Sequence, residues 1–172
     1  ATADPTGAEV MATLDVADPA LLAAFPYPHA LALTHRVDAG GLETTLTLMP
    51  TGDVPVPIAF GFHPCLAPGG DRRLWEIDLP STGRVESAQP GSHLLGDAAY
   101  DDLLPALEPD PVFAVRAPGI ALEVAFGPGY PCARVYAPVD ADVICFEPMT
   151  APADALAHGD GLRHAAPGDA FT

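Results

Sequence analysis

Twenty-one prolines and 16 glycines, spread along 172 residues rather than gathered into a linker, most constrain what this chain can fold into. Proline lacks an amide hydrogen and clashes with the preceding helical turn, and glycine weakens a helix interior, so this density works against long helices. It suits short strands joined by turns. Between the breakers the apolar period is two. Leu42, Thr44, Leu46 and Leu48 fall on one face with Glu43, Thr45 and Thr47 on the other, and Leu31, Leu33 and Val37 share a face in the preceding run. Asp38-Ala39-Gly40-Gly41 between them reads as a hairpin turn. Ile120, Leu122, Val124 and Phe126 repeat the pattern, residues 73–79 alternate likewise, and Gly127-Pro128-Gly129 turns the chain into a run over 130–137. Two short helices are expected, over 18–24, where Asp18 can cap and Pro19 can take the first helical position, and over 97–104. About ten short strands without strand-helix alternation predict an all-β chain, a large antiparallel β-sandwich forming one domain over residues 1–172.

Composition removes whole classes of chemistry. Seven arginines, no lysine and 23 acidic residues give a net charge of −16, so neither nucleic acid nor an anionic membrane surface is an expected partner. Without lysine there is no phosphate-binding G-K-[ST] loop and no Schiff base, and none of the three serines sits in a G-x-S-x-G elbow. No apolar run reaches the ~18 residues of a membrane-spanning helix. Three cysteines, Cys65, Cys132 and Cys145, with no C-x-x-C and no leader-like start, predict a reducing, cytoplasmic setting. The start on Ala1 and the stop at Thr172 as a new strand begins suggest a piece of something longer, incomplete at the N-terminus.

Two segments depart from plain strand grammar. Ile58-Ala59-Phe60-Gly61-Phe62-His63-Pro64-Cys65 reads as a strand ending on a histidine, since the following proline biases His63 to an extended backbone and stops the ladder. Val143-Ile144-Cys145-Phe146-Glu147-Pro148-Met149-Thr150 reads as an apolar strand ending on a carboxylate. A glutamate desolvated beside Phe146 is a stronger base near neutral pH, and a histidine gives or takes a proton in the same range. Together they are the minimum equipment for moving a proton on one side of a substrate and replacing it on another. The plainer alternatives are a hydrogen-bonded structural His63 and a Glu147 neutralised by Arg134 or Arg163. A metal site would draw on His63, Cys65, Cys132, Cys145 and Glu147, but close ligand pairs of the C-x₂₋₄-C or H-x₃₋₅-H kind are missing, so no metal is expected.

On Phe25-Pro26-Tyr27-Pro28-His29, Phe60-Gly61-Phe62-His63-Pro64, Tyr100-Asp101-Asp102 and Cys145-Phe146-Glu147-Pro148-Met149-Thr150-Ala151-Pro152, the chain resembles the aldose 1-epimerases, or galactose mutarotase-like proteins. The resemblance covers the later part of the family's pattern. It implies the galactose mutarotase-like supersandwich and interconversion of the α and β anomers of a free aldose, a monosaccharide substrate, with no cofactor. It implies that His63 protonates the ring oxygen, that Glu147 removes the anomeric proton and that Asp101 binds sugar hydroxyls. Phe60, Phe62, Tyr100 and Tyr136 are candidate contacts to the sugar by their nearness to these motifs, with Tyr136 and Trp75 more naturally core. His63 and Glu147 should then share one cleft, with room for a pyranose ring between them. Upstream family segments that supply an arginine and a second histidine have no counterpart here, and Cys65 stands where relatives carry an aromatic residue. A missing N-terminal segment or a second chain is therefore an expected partner. The alternative function is a sugar-binding or regulatory module without turnover. A phosphorylated sugar is disfavoured by the shortage of cations.

Overall fold

A computed structural model describes residues 1–80 and 90–172. Among them the chain runs β1 (Thr2–Asp4), β2 (Gly7–Val16), α1 (Pro19–Ala24), β3 (His29–Asp38), β4 (Gly41–Pro50), β5 (Val56–Ile58), β6 (Cys65–Leu66), β7 (Glu76–Leu79), β8 (Gly91–Leu94), β9 (Tyr100–Leu104), β10 (Val112–Ala117), β11 (Ile120–Ala125), β12 (Cys132–Ala137), β13 (Ile144–Met149), α2 (Ala155–His158) and β14 (Arg163–Ala165). All described strand pairs are antiparallel. None of the described helices is long and apolar enough to cross a membrane.

The chain falls into two compact units. The first, Ala1–Ile58 with Arg163–Thr172, holds a sheet in the order β1-β2-β3-β4 and the β14-β5 pair. Its local signals act as the sequence predicts. Asp38 and Gly41 pair across the β3-β4 turn while the Asp38 carboxylate accepts the Gly40 amide at 2.7 Å, and Asp18 accepts the Ala20 amide at 2.7 Å to cap α1, with Pro19 in its first turn. Burial along β4 is graded, from an exposed Leu42 to a buried Leu48.

The second unit, Ala59–Leu162, holds sheets ordered β11-β10-β7-β8 and β6-β13-β12-β9. Between them lies a core that includes Trp75, Ile77, Phe113, Val135, Ile144 and Phe146. Trp75 is fully buried and donates its indole N–H to the Gly69 carbonyl at 2.8 Å. The period of two decides what each face of β6-β13-β12-β9 carries. Leu104, Val135, Ile144 and Phe146 point to the core, so Asp101, Arg134, Tyr136, Cys145 and Glu147, at the alternate positions, point away from it.

One predicted helix is a strand. Residues 100–104 form β9, paired with β12, because Tyr100 and Leu104 at even positions bury while Asp101 and Leu103 face outward, a period that a helix cannot satisfy.

Candidate functional site

The site is built on a register. Gly61 bridges Met149, Cys65 pairs with Cys145 and Leu66 with Ile144, so the segment before β6 runs along β13 with one constant offset. That offset sets His63 opposite Glu147. His63 therefore does not end a strand, as the sequence suggests. It lies in a stretch where the ladder is interrupted and then resumes. Phe62 donates to the Pro148 carbonyl at 3.1 Å and Thr150 to the Phe60 carbonyl at 2.9 Å, so the even-numbered positions are the hydrogen-bonded pairs. Pro148 cannot return a bond to Phe62 and Pro64 has no amide to give, which explains the gap. Glu147 likewise does not end β13, which continues through Pro148 to Met149. His63/Glu147 and Cys65/Cys145 are then the non-hydrogen-bonded pairs, where opposing side chains stand closest. Gly61 secures the approach, since a Cβ there would meet the Pro148 carbonyl oxygen at 2.5 Å.

His63 Nε2 lies 3.0 Å from Glu147 Oε1. The histidine is exposed and the glutamate buried, and burial pushes the Glu147 carboxyl up while His63 and then Arg134 draw it down. Although in contact with His63, the buried Oε1 accepts no aligned hydrogen bond among the described residues. Both side chains line a cavity of about 530 Å³, together with Phe60, Phe62, Arg134 and Asp154. The two phenylalanine rings also contact Tyr130, at 6.3 and 6.1 Å between centroids.

The remaining predicted positions divide. Arg134 stands in register opposite Glu147, but its guanidinium is taken by Asp101, with Nε 2.6 Å from Oδ1. Asp101 thus reaches the site through Arg134 and is not itself a lining residue. Tyr100 is turned to the core face of β9, and its hydroxyl pairs with His93 Nε2 at 2.9 Å. Tyr136 meets the His63 ring in a T-shaped contact, 6.0 Å between centroids. No room for a pyranose exists between His63 and Glu147, because the two touch. The space lies beside the pair. No motif in the sequence marks Arg134 or Asp154 as a site residue. Asp154 has a left-handed backbone (φ 61°) at the start of α2, which no local motif announces.

No protein-family model matches this chain, and no curated protein matches it in sequence. Solved structures do. The Slr1438 protein from Synechocystis sp. PCC 6803 matches with a TM-score of 0.82 at 20% identity, over 99% of this chain and 61% of that one. A galactose mutarotase related enzyme from Lactobacillus acidophilus gives 0.76 at 16% identity, over 95% and 65%. A galactose mutarotase-like protein from Clostridium acetobutylicum gives 0.78 at 12% identity, over 99% and 62%. The chain therefore has the galactose mutarotase-like sandwich fold, and it spans less than two thirds of the length of these neighbours.

Proposed function

We propose that this chain carries the acid-base centre of an aldose 1-epimerase, the later part of a longer β-sandwich enzyme acting on a free aldohexose in the cytoplasm. The observation that carries the reading is the His63–Glu147 contact at the wall of the cavity, with a buried carboxylate oxygen that no aligned donor among the described residues satisfies. The ring oxygen and the anomeric hydroxyl of a sugar hang on the same carbon. An acid and a base that act on them must converge on that carbon, and two side chains in contact do so when the sugar presents its hemiacetal edge. Glu147 takes the anomeric hydroxyl proton as the C1–O5 bond breaks and the aldehyde forms, and imidazolium His63 delivers its Nε2 proton to O5. Rotation about C1–C2 exposes the other face. The transfers then reverse, so both groups end as they began. Each transfer supplies roughly 10²–10⁴-fold, and this route needs no further group.

The test is polarimetry on freshly dissolved α-anomers of glucose and galactose. The longer protein should speed the approach to equilibrium, with weak or no activity in the 172-residue chain alone, and Glu147→Gln in the longer protein, which keeps the shape and removes the base, should lose about 10²-fold or more while still binding sugar. A Glu147→Gln longer protein as fast as the unmodified one would overturn the mechanism. Sugar binding without any acceleration by the unmodified longer protein would favour the module reading instead.

A further inference from the structure

The register that sets His63 opposite Glu147 also sets Cys65 opposite Cys145, two residues along on the same sheet face. Cys65 Sγ is 2.7 Å from Cys145 Sγ and 3.5 Å from His63 Nδ1, and the three donor atoms lie within 4.8 Å of one another. We propose that His63 Nδ1, Cys65 Sγ and Cys145 Sγ form a binding site for a thiophilic cation of the zinc type. The site does not depend on the epimerase reading.

Four observations carry it. The donor set is two thiols and an imidazole, which suits Zn²⁺ and leaves a fourth tetrahedral position for water or a ligand. The spacing is nearly in place. Bonds of about 2.3 Å to sulfur and 2.0 Å to nitrogen put tetrahedral donors roughly 3.5–3.8 Å apart, so the nitrogen already fits Cys65 and the sulfurs must part by about 1 Å. Cys65 is exposed and carries a free thiol. The far nitrogen, Nε2, lies 3.0 Å from Glu147 Oε1, so a small turn of the ring aligns it with the kind of outer carboxylate partner that metal-binding histidines use. Finally, two thiolates and a neutral imidazole balance a dication without leaving charge on the sheet. Spacing rules drawn from turns and helices miss such a site because its ligands are H-x-C on one strand and a cysteine opposite in register. Cross-strand disulfide formation is the competing use of the two sulfurs. It has no need of the imidazole or its carboxylate.

The experiment is a titration of the full, reduced chain with Co²⁺, followed by Zn²⁺ competition against a chromophoric chelator. One equivalent of Co²⁺ should bind with a sulfur-to-cobalt charge-transfer band. Cys65→Ser and His63→Ala should each lose the band or weaken Zn²⁺ by more than the ~10–100-fold typical of an outer partner. Cys132→Ser, whose parent thiol donates to the Pro105 carbonyl at 3.3 Å, should bind as the parent does. Cys65 is exposed, so its variant should keep the parent's melting transition. The proposal is overturned by binding that is weak or substoichiometric, by an equal loss in Cys132→Ser, or by a Cys65–Cys145 disulfide in peptide maps whose reduction yields no Zn²⁺ binding.

Discussion

Arg134 faces Glu147 across β12 and β13, yet its hydrogen bond goes to Asp101, one strand further out. This choice decides what Asp101 can do. The resemblance assigns it direct contact with sugar hydroxyls, whereas the bond to Arg134 offers it the role of positioning a guanidinium that lines the cavity. The two roles separate in a double-mutant cycle read on polarimetric KM. If Asp101 acts through Arg134, Asp101→Asn and Arg134→Gln each raise KM by about 10-fold, some 1.4 kcal/mol, and the double variant is no worse than Arg134→Gln alone. Multiplicative effects would restore direct contact. His63 supports a second expectation. A cation on Nδ1 prevents the ring from becoming an imidazolium and so removes the acid, so Zn²⁺ should slow mutarotation, a chelator should restore it, and Cys65→Ser should be insensitive. Equal inhibition of Cys65→Ser would place the inhibitory metal elsewhere.

At the scale of elements, the segment from Phe60 to Cys65 holds its register by the close approach at Gly61, the Phe62 amide on the Pro148 carbonyl and the bonds exchanged between Phe60 and Thr150. Gly61→Ala drives a Cβ into a carbonyl on the central strand, so the backbone must shift, at a cost of about 1–3 kcal/mol. Because His63 follows two residues later, activity should fall further than the melting temperature alone explains. A full-speed Gly61→Ala chain would show that the offset does not position the histidine. The 3-10 turn Arg72–Leu74 offers a pH test. Asp71 caps it, and its hydrogen bonds with Arg73 hold the carboxyl down to about 2 from an ordinary 3.8. A depressed carboxyl stabilises the fold above the ordinary value and stops doing so as pH falls through the lower one. Asp71→Asn should therefore lower the melting temperature at pH 7 and leave it unchanged below pH ~2, a window set by those two values. These same elements show how much the sequence carries. Asp18-Pro19 and Asp38-Ala39-Gly40-Gly41 were legible because cap and turn act within four residues. The 97–104 segment misled because Asp97 imitates a cap while the pairing that makes β9 comes from β12, some 30 residues on. His63 and Glu147 were legible as residues, each marked by a following proline. Their direct contact, the grip of Asp101 on Arg134 and the Cys65–Cys145 pairing were not, since all three follow from strand offsets that no local signal encodes.

For the molecule as a whole, the sheet β1-β2-β3-β4 poses a question of solubility. Its register stacks Ala8, Val10, Ala12 and Leu14 beside Leu31, Leu33 and Val37, and these beside Leu42, Leu46 and Leu48, on one face, which the His35–Thr44 pair interrupts. The opposite face carries Glu9, Thr13, Asp15, Arg36 and Glu43. Only part of the apolar face is covered. Leu48 is 4% exposed, but Leu42 is 69% exposed, and Val10, Leu14 and Val37 are about half exposed at 48%, 51% and 48%. Apolar surface gains about 25 cal/mol for each Å² removed from water, so the exposed apolar side chains on this face favour contact with a second copy. A net charge of −16 opposes that approach. The two effects have different ranges. The charge acts over a Debye length of roughly 30 Å at 0.01 M salt but only about 8 Å at 0.15 M, whereas the apolar contact acts at touching distance and is not screened. Repulsion should win at low ionic strength and apolar contact at physiological salt. Light scattering is expected to show smaller species in 0.01 M salt and self-association that grows with both salt and protein concentration. Leu42→Glu, at an exposed position where a substitution costs the fold within about 0.5 kcal/mol, should suppress the association without altering cobalt binding or polarimetric rate. Association that weakens as salt is added, or that ignores Leu42→Glu, would mean that charged surfaces rather than this sheet face hold the copies together.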